Sequence, residues 1–238
     1  MKITYLEHSG YMAEVEGRIL VFDYYKGTLP KLPEKAKIYV FASHAHQDHF
    51  DLEILKWAGD HPNIRYILSK DIRLSDRYLE RNGIAASVKE KITFAPPLKT
   101  FEVDDMNIKT LRSTDAGVAF LIGAEGKYFY HAGDLNLWKW DGAGDLVNGK
   151  ETRAYKHEIH KLADYEIDVA FVPLDSRQKK YAAEGLMYFM EHVDAKAVFP
   201  MHMWQDYSPI AALKAKISNG AFARRLVEIS GENEAYEL

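Results

Sequence analysis

Three histidines and a carboxylate fall within one short run, His44-Ala45-His46-Gln47-Asp48-His49. His44 and His46 are two apart, so in an extended segment both imidazoles project to the same side. Asp48 and His49 come just before residues 51–57, where a helical pattern starts, and can face the same space from its other edge. Imidazole and carboxylate are ligands for zinc, manganese and iron, and four such groups can seed a site for two metals. The chemistry such a site supports is hydrolysis, in which metal lowers the pKa of a water and polarises the oxygen under attack. The plainer reading of the same run is a solvated polar loop. Its place straight after an apolar β-rich run, residues 38–41, favours the metal reading.

Two more signals follow in order. Gly133-Asp134 comes directly after a strand pattern at 127–131, and His202 after another at 195–200. Taken alone, Gly133-Asp134 is a turn and His202 a strand-end histidine. Short strands are expected at 2–6, 11–16 and 18–22, with turns at His8-Ser9-Gly10 and Glu16-Gly17. Further strands are expected at 63–68, 91–94, 99–103, 106–111, 118–122, 168–173 and 225–229. Helices are expected at 71–81, 152–165, 182–192 and 208–218. Strands that first form meanders and then alternate with helices suit two packed sheets with helices outside.

A chain of 238 residues that is 47% apolar can bury a large core. No Pro/Gly/Ser-rich linker interrupts it, so residues 1–238 read as a single domain. The net charge is −4 with acidic and basic residues interspersed, which leaves no electrostatic footprint for nucleic acid. The absence of cysteine rules out disulfides and leaves nitrogen and oxygen as the only metal donors. The first residues lack a signal-peptide core and no apolar run approaches membrane-spanning length. A cytoplasmic location without membrane contact is expected, although the lack of cysteine also suits an exported protein. The sequence leaves room for an oligomer.

The H-x-H-x-D-H run, the later Gly-Asp turn and the final histidine together resemble the metallo-β-lactamase superfamily, in its lactonase-like and uncharacterised branch. The resemblance covers nearly the whole chain. It implies an α+β fold, a four-layer αββα sandwich with the metal site at one edge between the sheets. It also implies that His44 and His46 bind one metal, that Asp48, His49 and His202 bind the second, and that Asp134 bridges. Two zinc ions are expected, with manganese or iron as alternatives. Asp48 would also accept a proton from the nucleophilic water.

One departure stands out. The family pattern usually supplies a third histidine to the first metal between the metal loop and the Gly-Asp turn, yet residues 62–130 contain none. Asp115, in Arg112-Ser113-Thr114-Asp115-Ala116-Gly117, is the matching candidate, and reads equally as a ligand or a turn former. His8 resembles a histidine that some members place near the pocket, and Asp23 a buried aspartate that hydrogen-bonds the metal loop. His131 adjoins the bridging turn, where it would orient a ligand or meet substrate. Trp138, Trp140 and Trp204 either overhang a pocket and meet an apolar part of a ligand or form a packed loop or subunit contact. The run after Asp175 carries Arg177, Lys179 and Lys180, either for an anionic substrate or as a solvated face.

The function that follows is attack by a metal-bound hydroxide on a small ester, lactone, amide or phosphoester substrate. A phosphodiesterase or nuclease of the superfamily is an alternative, though no basic arm is visible. The rival from another class is a non-catalytic metal or ligand sensor, motivated by the missing third histidine.

Overall fold

The computed structural model describes residues 1–217 and 221–238. Two sheets form from strands that follow each other in the chain. The first holds β1 (Lys2–Glu7), β2 (Gly10–Val15), β3 (Arg18–Phe22), β4 (Lys37–Ala42), β5 (Ile64–Ser69) and β6 (Ile92–Ala95). The second holds β7 (Thr100–Val103), β8 (Met106–Arg112), β9 (Val118–Ala124), β10 (Lys127–His131), β11 (Glu166–Pro173) and β12 (Asp194–Met201). A last strand, β13 (Ala235–Glu237), returns to the first sheet beside β1. Each sheet begins as an antiparallel meander and continues in parallel, through β3-β4-β5-β6 in one and β10-β11-β12 in the other.

The central strands are apolar on both faces because both are covered. Along β4, Tyr39 and Phe41 enter the core between the sheets, while Ile38, Val40 and Ala42 join a second cluster outside the first sheet. This is the two-residue alternation of a strand buried on both sides. The outer cluster is closed by Ile54 and Leu55 of a 3₁₀ segment, Leu52–Gly59, and by Leu79 of α1 (Asp76–Arg81). The second sheet is covered by Tyr155 and Ile159 of α2 (Gly144–Ile159) and by Leu186 and Phe189 of α3 (Glu184–His192). A further helix, α4 (Ser208–Ile217), adds Ile210 and Leu213. The result is the four-layer αββα sandwich. Arg18 of β3 bonds Asp105 and Glu125 in two turns of the second sheet, an ion cluster joining the two sheets. No helix among the described residues is long and apolar enough to cross a membrane.

Some elements differ from the sequence pattern. The helix expected at 71–81 begins only at Asp76, because Ser75 caps it, its Oγ accepting the Tyr78 N–H at 3.2 Å. Ile72 and Leu74 are buried without being helical. The helix expected at 152–165 starts at Gly144, where Asn148 bonds both the N–H and the carbonyl of Trp140 and fastens the preceding loop to its first turn. The segment 51–57 forms 3₁₀ rather than α turns. The strand expected at 225–229 is reduced to one bridge, Val198 to Leu226, and the closing strand is β13 instead. Ser218, the expected end of the last helix, lies outside the described residues.

Candidate metal centre

Strand direction decides where the polar residues gather. β1 and β3 run the same way as β4, and β8 runs the same way as β10 to β12. His8 follows β1, Asp23 follows β3 and His44 to His49 follow β4. Asp115 follows β8, Asp134 follows β10, Asp175 follows β11 and His202 follows β12. All lie beyond the carboxyl ends of co-directional strands, where open sheets place their ligands.

Asp134 is the hub. Its Oδ1 lies 3.1 Å from His49 Nε2 and 3.3 Å from His202 Nε2, and its Oδ2 lies 3.4 Å from His44 Nε2. Each of these three buried imidazoles is held through its other nitrogen. His49 Nδ1 meets Asp23 Oδ2 at 2.7 Å, and His202 Nδ1 meets Asp175 Oδ2 at 3.0 Å. Ser43 Oγ donates to Asp23 at 2.6 Å and therefore accepts from His44 Nδ1 at 2.9 Å. Nδ1 thus carries a proton in each ring, and Nε2 is turned toward Asp134, the nitrogen a metal would take in place of any proton there. Despite the short distances, His44 Nε2, His49 Nε2 and Asp134 Oδ1 are buried and make no hydrogen bond in the described structure.

The remaining loop residues divide. Asp48 Oδ2 stands 3.8 Å from both His49 Nε2 and His202 Nε2 and 3.3 Å from His8 Nε2. His46 packs its ring 4.5 Å from that of His44 but is half exposed. Ligand-type atoms gather in two groups, His44 with His46 and Asp134, and Asp48 with His49, His202 and His8. Asp115 joins neither. It sits at the rim, largely exposed, its Oδ2 4.0 Å from His46 Nδ1. His131 is buried behind the site, its Nε2 bonded to Ser9 O at 2.9 Å and its Nδ1 accepting the Gly133 N–H, so it braces the turn that carries Asp134 and does not line the cleft. Asp23 also accepts the Ser43 N–H at 2.7 Å, and so fixes the start of the metal loop.

The charges fit this geometry. Burial pushes His8 and His44 down to about 4, so both are neutral at pH 7. Burial opposes the charge of His49, but the Asp134 and Asp23 carboxylates prevail and push it up to about 10. His202 is raised against burial by Asp134 and Asp175. Burial likewise opposes the charge of Asp134, yet His49 and His202 hold its carboxyl well below the usual range. A proton on His49 therefore offsets the buried carboxylates where a cation would otherwise do so.

A cleft of about 410 Å³ opens over this cluster. Trp138 and Trp140 form one wall with parallel rings 6.1 Å apart, and the Trp138 Nε1 donates to Asp134 O at 3.0 Å. Thr114, Asp115 and Glu151 also line it. Arg177 reaches it with its guanidinium 4.7 Å from the Trp204 ring and bound to Asp175. The partnership of Asp175 with His202 was missed by the sequence reading, which counted Asp175 only as the start of a charged run. The signal was available, since Asp175 follows a buried strand just as Asp23 does. Ser43 was missed too, being visible only as a hydroxyl beside His44.

A sequence model of the β-lactamase superfamily domain matches residues 2–202. A metal-dependent hydrolase of Archaeoglobus fulgidus is 25% identical over 214 residues, covering 85% of this chain and 83% of its own. One from Bacillus thuringiensis is 26% identical over 212 residues, 85% of each chain. A solved metallo hydrolase of Ignicoccus hospitalis shares the fold, with a TM-score of 0.66 at 22% identity over 100% of this chain and 98% of its own.

Proposed function

The chain belongs to the metallo-β-lactamase superfamily as a metal-dependent hydrolase, and we propose that it cleaves a small ester, lactone, amide or phosphoester in the cytoplasm. The observation that carries this is the convergence of His44, His49 and His202 on Asp134, each ring fixed at Nδ1 with Nε2 toward that carboxylate. Nitrogen and oxygen donors suit two zinc ions, or manganese or iron. His44, His46 and Asp134 would hold one metal and Asp48, His49 and His202 the other, with Asp134 shared. Bound there, the metals would lower the pKa of a water and polarise the oxygen under attack.

The other work belongs to the chain's own side chains. Burial opposes the charge of Asp48, but His8 and His49 keep its carboxyl ionised, and Asp48 lines the cleft, where it would take up a proton. Asp23, Ser43 and Asp175 keep the imidazoles in one tautomer. Trp138 and Trp140 receive an apolar part of the substrate, and Arg177 faces an anionic part.

The test is metal removal followed by a panel of esters, lactones, amides and phosphodiesters. Stripped protein should be inactive, and zinc or manganese should restore turnover. Full activity in the stripped protein would end this reading.

A further inference from the structure

We propose that His8 is itself a metal ligand, so that the site of Asp48, His49 and His202 is closed by protein donors and the His44–His46 site keeps the open positions. This rests on the two-metal reading above. His8 is 1% exposed, and neither ring nitrogen has a hydrogen-bond partner in the described structure. Leaving a buried polar atom unpaired forfeits its hydration with nothing in return, so an imidazole with both nitrogens unpaired calls for an explanation.

The ring's surroundings supply one. Nε2 lies 3.3 Å from Asp48 Oδ2, and the ring centroid is 4.3 Å from that of His202. One donor atom from each of His8, Asp48, His49 and His202 lies within 4.8 Å of every other, close enough to enclose a single ion. Substrate contact is not the explanation, because His8 does not line the cleft. Trp204, with its ring centroid 4.5 Å away, and Tyr25, at 6.1 Å, pack against it.

The backbone is committed to the same arrangement. His8 has φ 54 and His202 φ 64, left-handed values that a residue with a side chain seldom adopts. The His202 N–H donates to the His8 carbonyl at 3.0 Å and ties the β1–β2 turn to the end of β12. Two strained residues bonded to each other deliver two imidazoles to one point.

The consequence is asymmetry. With Asp134 shared, one ion would have His8, Asp48, His49 and His202 around it. The other would have His44 and His46, with Asp115 only at the rim. The first is the tight ion, and the second is the one that presents positions to water and substrate.

Cobalt(II) is the probe. In the loaded full-length protein each ligating histidine gives a hyperfine-shifted ring N–H proton resonance. The unmodified chain should show one for each of His8, His44, His46, His49 and His202. His8→Asn, whose side chain tolerates left-handed φ, should lose the His8 resonance. It should also weaken the tight cobalt equivalent by more than the ~10–100-fold typical of partners lying behind a ligand. A variant that retains every shifted resonance of the parent overturns the proposal while leaving the two-metal reading intact. If the variant does not fold, the unmodified chain decides, since a spectrum without a His8 resonance rejects the assignment. A chain that binds no cobalt removes the two-metal reading together with it.

Discussion

Asp48 and Asp115 are both carboxylates near the metal loop, but their surroundings give them different work. Asp48 is flanked by His8, His49 and His202 and opens on the cleft. Asp48→Asn keeps an oxygen that can approach a metal but cannot accept a proton. It should lower kcat by about 100-fold or more while changing KM little. Equal, small losses in both constants would make Asp48 a positioning group. Asp115 is 55% exposed at its side chain and lies 4.0 Å from only one candidate ligand. Through that single approach to His46, Asp115→Ala is expected to weaken one metal equivalent modestly and leave the other unchanged. Asp115→His should tighten zinc at the weaker site. Metal analysis of both variants checks this, and unaltered binding of both equivalents in Asp115→Ala would reduce Asp115 to a turn former.

The loops are as constrained as the strands they follow. Gly117, with φ +66, lies so close to the metal loop that an added Cβ would stand 1.9 Å from Ser43 O and 2.5 Å from His44 Cβ. Gly133, with φ +52, presses on Ser43 in the same way. Two connections of the second sheet thus brace the loop after β4 from the first. Gly117→Ala should cost more than about 1 kcal/mol, because strained φ and a backbone clash coincide. It should also lower metal affinity, since His44 must move. Thermal melting with and without metal reads both effects, and a variant with parental melting temperature and metal content would show that the contact is not needed. Elsewhere, local patterns located elements better than their ends. The helix expected from residue 71 begins only after the Ser75 cap, and Ile72 and Leu74, two apart, are buried in non-helical chain before it.

Candidate ligands drawn from loops far apart in the chain would make a metal centre here a clasp between the two sheets. Metal at 100 times its Kd should stabilise the fold by about 2.7 kcal/mol. Without metal, stability should depend on pH in a defined way. His8 and His44 fall to about 4 on folding, so the stability they contribute is present above their unfolded pKa of about 6.5 and is lost as pH falls toward 4. His49 rises to about 10, so its contribution is complete below about 6.5 and is lost as pH climbs through 10. The melting temperature of chelated protein should therefore fall from neutral pH toward about 4.5, where 1 kcal/mol moves it by about 2–4 °C in a chain of this size. A flat profile over that range would mean that the two histidines are not buried neutral. The sequence alone located β1 to β12 and the H-x-H-x-D-H loop, though not β13, and it marked Asp134 and His202 as residues following buried strands. Those features are local, set by the two-residue alternation of apolar side chains and by polar residues at strand ends. It also placed Asp23 before the loop it holds. Only the tertiary structure decided that Asp175 fixes His202, that Asp115 stays at the rim and that His8 joins Asp48, His49 and His202. These depend on which strand ends meet when two sheets pack, and on left-handed backbone at His8 and His202, which side-chain pattern does not reveal.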